Sequence, residues 1–132
     1  MANNDETDQE LDALRLNEER ADWRREKSTA LRDRLIFLLD DLAPNRGKYA
    51  YLESRTGISA ASWQNLYLEK QMPTLDMILA VSEYRYPYLS WLITGQDPTD
   101  ASAQQMSRAP TDEKWEAFRS HRAWLRTSKK KG

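Results

Sequence analysis

The sequence predicts an all-α fold: a core of five short helices with helical extensions at both ends. Three observations predict it. Apolar residues recur at helical spacing, as in Leu31, Leu35, Leu38, Leu39 and Leu42. Pro44, Pro73, Pro87, Pro98 and Pro110, with Gly47, Gly57 and Gly95, fall between the periodic stretches rather than inside them. No stretch alternates apolar and polar residues between hairpin turns, so strands are not expected.

Each element follows from local chemistry. Residues 1–27 are an acidic N-terminal arm. Its first ten residues are polar and expected to be disordered, while 11–27, rich in Glu, Arg and Leu, are suited to extend the first helix. Leu16, Trp23, Ala30 and Phe37 recur every seven residues, the spacing of a helix-pairing seam, though only one such column is present. Residues 28–96 form the core domain. Its first helix spans 28–43 and stops before Pro44. The second spans 48–56. The third spans 60–70, with Ser59 as N-cap. The fourth spans 75–85, with Thr74 as N-cap and Asp76 at the positive helix end. The fifth spans 87–94, with Pro87 in its first turn and Gly95 just past its end. Trp63, Trp91, Tyr84 and Leu89 are expected in the core. Residues 97–110 read as a linker. Residues 111–132 read as an amphipathic helix, capped by Thr111, that ends in a basic tail.

Composition narrows the function classes. The 132 residues carry a formal charge of −1, and 31% are charged. No run approaches the ~20 apolar residues of a transmembrane helix. No leader pattern is visible, so a cytoplasmic location is expected. The absence of cysteine excludes thiolate metal sites and cysteine nucleophiles, and a single histidine, His121, argues against a histidine metal cluster. No phosphate-binding loop or metalloprotease motif is present, so neither catalysis nor a cofactor is expected, and no small-molecule ligand is evident. The near-zero net charge is a cancellation. Residues 1–27 hold nine acids and five bases, residues 28–72 five and six, residues 73–100 four and one, and residues 101–132 three and eight.

The informative stretch is Tyr49 to Leu68, YAYLESRTGISAASWQNLYL. It reads as a helix, a tight turn at Gly57 and a second helix. Leu52, Ile58, Trp63 and Leu66 form the apolar wedge between them. The second helix then presents its opposite side, which suits the DNA major groove.

Residues 30–95 resemble the lambda-repressor-like helix-turn-helix domains of the XRE family. The resemblance is carried by Leu52, then Thr56-Gly57-Ile58-Ser59, Trp63 and Leu66, Met72-Pro73-Thr74-Leu75, and the closing Leu89-Ser90-Trp91-Leu92-Ile93-Thr94-Gly95. It implies a five-helix domain that binds double-stranded DNA as a homodimer on half-sites about 34 Å apart. It also implies a regulator of transcription, a repressor by analogy. Base contacts are then expected from Ser59, Ala60, Ala61, Gln64 and Asn65. Phosphate contacts are expected from Arg46, Lys48, Tyr49, Lys70 and Gln71. The sequence departs from the family at Glu53, where a small residue is usual. A carboxylate there must turn outward or find a partner, and the helix pair is open to splaying.

A second reading stays open. In it the chain is a protein-interaction module that keeps this scaffold and has lost DNA readout. Ala60 and Ala61, which lack donors, together with Glu53 and the weak core charge, point that way. Trp23, Trp115 and Trp124 would then be partner surfaces. For Gln64 and Asn65 the alternative is a solvated helix surface. The basic tail, Arg119 through Lys131, reads either as a source of non-specific phosphate attraction or as a solvated tail that also pairs with the acidic front.

Overall fold

The structure, a computed structural model, describes residues 2–96 and 108–131; for 2–6 and 129–131 it describes the helix but not the side chains. All of its regular structure is helical. In order, these are α1 (Ala2–Leu42), α2 (Lys48–Thr56), α3 (Ala60–Tyr67), α4 (Leu75–Tyr84), a short 3-10 turn (Tyr86–Tyr88), α5 (Leu89–Thr94) and α6 (Asp112–Lys131). None of these helices is long and apolar enough to cross a membrane.

α1 has two unlike halves. From Leu31 onward an apolar stripe buries Leu35, Ile36, Leu38 and Leu39. Residues 7–27 are exposed throughout. The polar segment expected to be disordered is therefore a helical projection continuous with the core. Acids dominate its first turns, where the helix dipole favours negative charge. The helix ends where Pro44 cannot continue the ladder, and Gly47, at φ 71, turns the chain into α2.

The core gathers one face of each of α1, α2, α3, α4 and α5. Leu35, Ile36 and Leu39 of α1 meet Leu52 of α2, Trp63 and Leu66 of α3, Met77 and Val81 of α4, and Trp91 and Leu92 of α5. Trp63 is fully buried. Tyr84 is an exception to the expected core: it is exposed, and its hydroxyl donates to the Arg55 carbonyl at 2.9 Å, covering the end of α2.

The caps fall where the sequence places them. Ser59 Oγ accepts from the Ser62 amide at 3.1 Å, and Thr74 Oγ1 accepts from the Met77 amide at 3.2 Å. Thr111 Oγ1 accepts from the Lys114 amide at 3.3 Å. Two boundaries differ from expectation. The third helix stops at Tyr67 rather than 70, because Glu69 takes a left-handed backbone at φ 62. The fifth is split into the 3-10 turn at Pro87 and a six-residue α5 closed by Gly95 at φ 73. Arg34 explains that closure: Nε and Nη2 donate to the carbonyls of Leu92 and Ile93, and a Cβ on Gly95 would lie 3.0 Å from the guanidinium.

α6 packs on the core. Trp115 and Phe118 form an aromatic cluster with Phe37 of α1 and Trp91 of α5, with ring centroids 5.2–5.7 Å apart. Trp115 is thus engaged internally, whereas Trp23 and Trp124 are exposed. Of the linker segment, 97–107 lies outside the described residues. Past it, the Arg108 amide donates to the Pro87 carbonyl and Ala109 packs against the core.

Candidate nucleic-acid interface

Gly57-Ile58-Ser59 joins α2 to α3, and Gly57 stands at φ 77, a conformation that a side chain at this position would strain. Thr56 ties the pair together. Its hydroxyl donates to the Leu52 carbonyl at 2.6 Å and accepts from both the Ile58 amide and Trp63 Nε1 at 3.2 Å. The indole N–H of a fully buried tryptophan is satisfied in this way. Leu52, Trp63 and Leu66 are completely buried and Ile58 half-buried between the helices.

Glu53 neither splays the pair nor points at random. Its Oε2 accepts from the Ala60 amide at 3.2 Å, so it caps the first turn of α3 from the neighbouring helix. The departure from the family pattern is therefore accommodated by a charge-assisted bond. The same bond sets a negative group beside the amide end of α3.

Ser59, Ala61, Gln64 and Asn65 are exposed. Ala61, Gln64 and Asn65 are three and four positions apart, so they share one face, opposite Trp63 and Leu66. Ala60 is half-buried, with its amide held by Glu53. Arg46 and Lys70 are exposed, and Gln71 is half-buried.

Lys48 and Tyr49 are engaged inside the fold. Lys48 Nζ lies 2.7 Å from Asp40 Oδ1 and 4.6 Å from the centre of the Tyr67 ring. The same Asp40 oxygen accepts from the Tyr67 hydroxyl at 2.8 Å. Burial, and then the Asp40 charge, push the Tyr67 phenol far above its ordinary pKa. Tyr49 packs edge-on to Tyr67, and its phenol is also raised, mainly by burial. Arg46, Ala61, Gln64, Asn65 and Lys70 thus face solvent, while Lys48 and Tyr49 serve the joint between α1, α2 and α3.

Glu69, two residues past α3, is the larger hub that sequence reasoning missed. Arg126 of α6 approaches it at 2.7 Å and Arg122 at 3.1 Å, while Arg32 of α1 stands 3.9 Å away. Arg122 also donates to the Tyr67 carbonyl at 2.9 Å, and Arg126 reaches Asp33 at 3.1 Å. Burial alone would raise the Glu69 carboxyl. The hydrogen bond from Arg126 and the charges of Arg126, Arg32 and Arg122 overcome that and hold it below the ordinary range. These α6 arginines therefore meet Asp33 and Glu69, acids of the core. The pairing partners lie 53 to 93 positions apart, so local periodicity gives no hint of them. The one available signal is that Arg122 and Arg126 share a helix face. An open groove of about 630 Å³ runs beside the hub, between Tyr49, Tyr67, Leu68 and Leu125.

Comparison of the chain with family models, with curated proteins and with solved structures returned no match.

Proposed function

We propose that the chain is a sequence-specific DNA-binding regulator of transcription, with a lambda-repressor-like helix-turn-helix domain and α3 as the helix that enters the major groove. The observation that carries this reading is the exposed polar face of α3. Gln64 and Asn65 stand free on a short helix whose opposite side is locked by Thr56, Trp63 and Leu66. Each amide is able to make a paired contact with adenine, and Ala61 is placed to meet a thymine methyl. Arg46 and Lys70, exposed at the two ends of the helix pair, are the phosphate donors. Lys48 and Tyr49 act behind them, fixing α2 against α1 and α3. Occupancy of an operator by a homodimer, on half-sites one DNA turn of about 34 Å or a multiple of it apart, is the mode of action. Repression follows by analogy with the family, and a cytoplasmic location belongs to the same reading.

The second reading is an interaction module on the same scaffold. Two observations favour it: Glu53 sets a carboxylate at the amide end of α3, and Lys48 is neutralised by Asp40. Selection of duplexes bound by the full chain at moderate salt separates the two. Enrichment of a shared motif supports the DNA reading, and recovery of no preferred sequence favours the interaction module.

A further inference from the structure

The exposed half of α1 is the largest feature that this function leaves unused. Residues 2–27 extend for about 39 Å along the helix axis. From residue 7 onward they bury nothing, yet they carry Leu11, Leu14, Leu16 and Trp23, each 47–60% exposed. A helix of this length without a buried face is held largely by short-range contacts, among them the ion pairs of Arg15 with Asp12 and Arg25 with Asp22. Its charge is ordered along the axis. Residues 2–14 hold five acids and no base, and residues 15–27 hold five bases and four acids.

We infer that the arm pairs with the arm of a second copy of this chain, in antiparallel orientation. Parallel pairing sets five acids against five acids, which like-charge repulsion opposes. Antiparallel pairing sets the acidic half of each arm against the half that holds every base. A register centred on Leu16 brings Asp8 opposite Arg24 and Asp12 opposite Arg20, with Leu16 opposite its own copy. Leu16 and Trp23, one heptad apart, lie on one side of the helix and supply the apolar seam. The two globular ends then stand at opposite ends of the paired arms. The inference names the surface of the dimer invoked under the DNA reading, and it stands on α1 alone.

The chain contains no cysteine, so single labels are clean. Spin labels are attached to full-length Asp8→Cys and, separately, Asn17→Cys, both exposed positions, without DNA. Circular dichroism matching the unsubstituted chain qualifies each variant. Antiparallel arms put the two labels of the Asn17→Cys dimer at about the 8–10 Å spacing of packed helices. They put the two labels of the Asp8→Cys dimer about 24 Å apart along the axis. Sedimentation shows a dimer, and Leu16→Lys shifts it toward monomer by at least tenfold in dissociation constant. Close approach of both label pairs means parallel arms and overturns the inference. So does a monomer at every concentration, or a dimer with neither pair coupled. A monomer that still selects a DNA motif would overturn the pairing and leave the DNA reading intact. Paired arms with no selected DNA would do the reverse.

Discussion

Glu69 adopts a backbone conformation usually left to glycine, and the ion pairs of its side chain account for its place there. Holding a residue with a Cβ at φ 62 costs about 1 kcal/mol or more. The carboxylate offsets this by joining Arg32, Arg122 and Arg126, two of them largely buried. Removing it strands those cations, so Glu69→Ala is expected to destabilise the fold by about 2 kcal/mol in urea unfolding. Glu69→Gly relieves the backbone and should recover about 1 kcal/mol of that loss. A glycine variant no more stable than the alanine one would show that φ carries no strain. The pH dependence follows from the depressed carboxyl. The unfolded chain takes up this proton first, so the stabilisation is complete above about pH 5 and drains away as pH falls through the lower folded value. Glu69→Gln should flatten that limb of a stability-against-pH curve, and an unchanged slope would show that the Glu69 charge does not stabilise the fold.

At the scale of elements, the α2–α3 pair is where the sequence was most informative. The turn glycine, the Ser59 N-cap and the apolar wedge are local signals, each within a few residues of the feature it predicts. Gly57→Ala, at φ 77, should cost about 1 kcal/mol or more. Thr56→Val keeps the shape but leaves Trp63 Nε1 without its acceptor in the core, and a further loss of about 1–2 kcal/mol is expected. Equal stability of wild type and Thr56→Val in thermal melts would mean that the hydroxyl is incidental. What the sequence did not show was long-range. Glu53 reaching across to α3, Asp40 joining Lys48 and Tyr67, and Trp115 closing on Phe37 and Trp91 all depend on elements that only the folded chain brings together. The helical stop at Tyr67 was missed for the same reason, since a glutamate in left-handed backbone has no sequence signature.

For the molecule as a whole, segregated charge matters more than net charge. The α6 arginines nearest the core are committed to Asp33 and Glu69, so their phosphate attraction is smaller than their number suggests. Exposed Lys70 remains a free donor just past α3. Lys70→Ala is expected to weaken binding to all sequences alike and to lower the slope of log affinity against log salt by about 1. A loss confined to one sequence would instead make Lys70 a base reader. The face of α3 was legible in the sequence because amphipathic spacing reveals which residues are left outside.

The exposed face of α3 is proposed to read DNA. The most direct measurement is a paired selection of random duplexes by the full wild-type chain and by Gln64→Ala, with Asn65→Ala as a third arm. One wild-type motif is expected. Each variant should lose about 1–3 kcal/mol of discrimination at a single position while the rest of the motif stays. An absence of any wild-type motif, or a motif identical in all three chains, would contradict it.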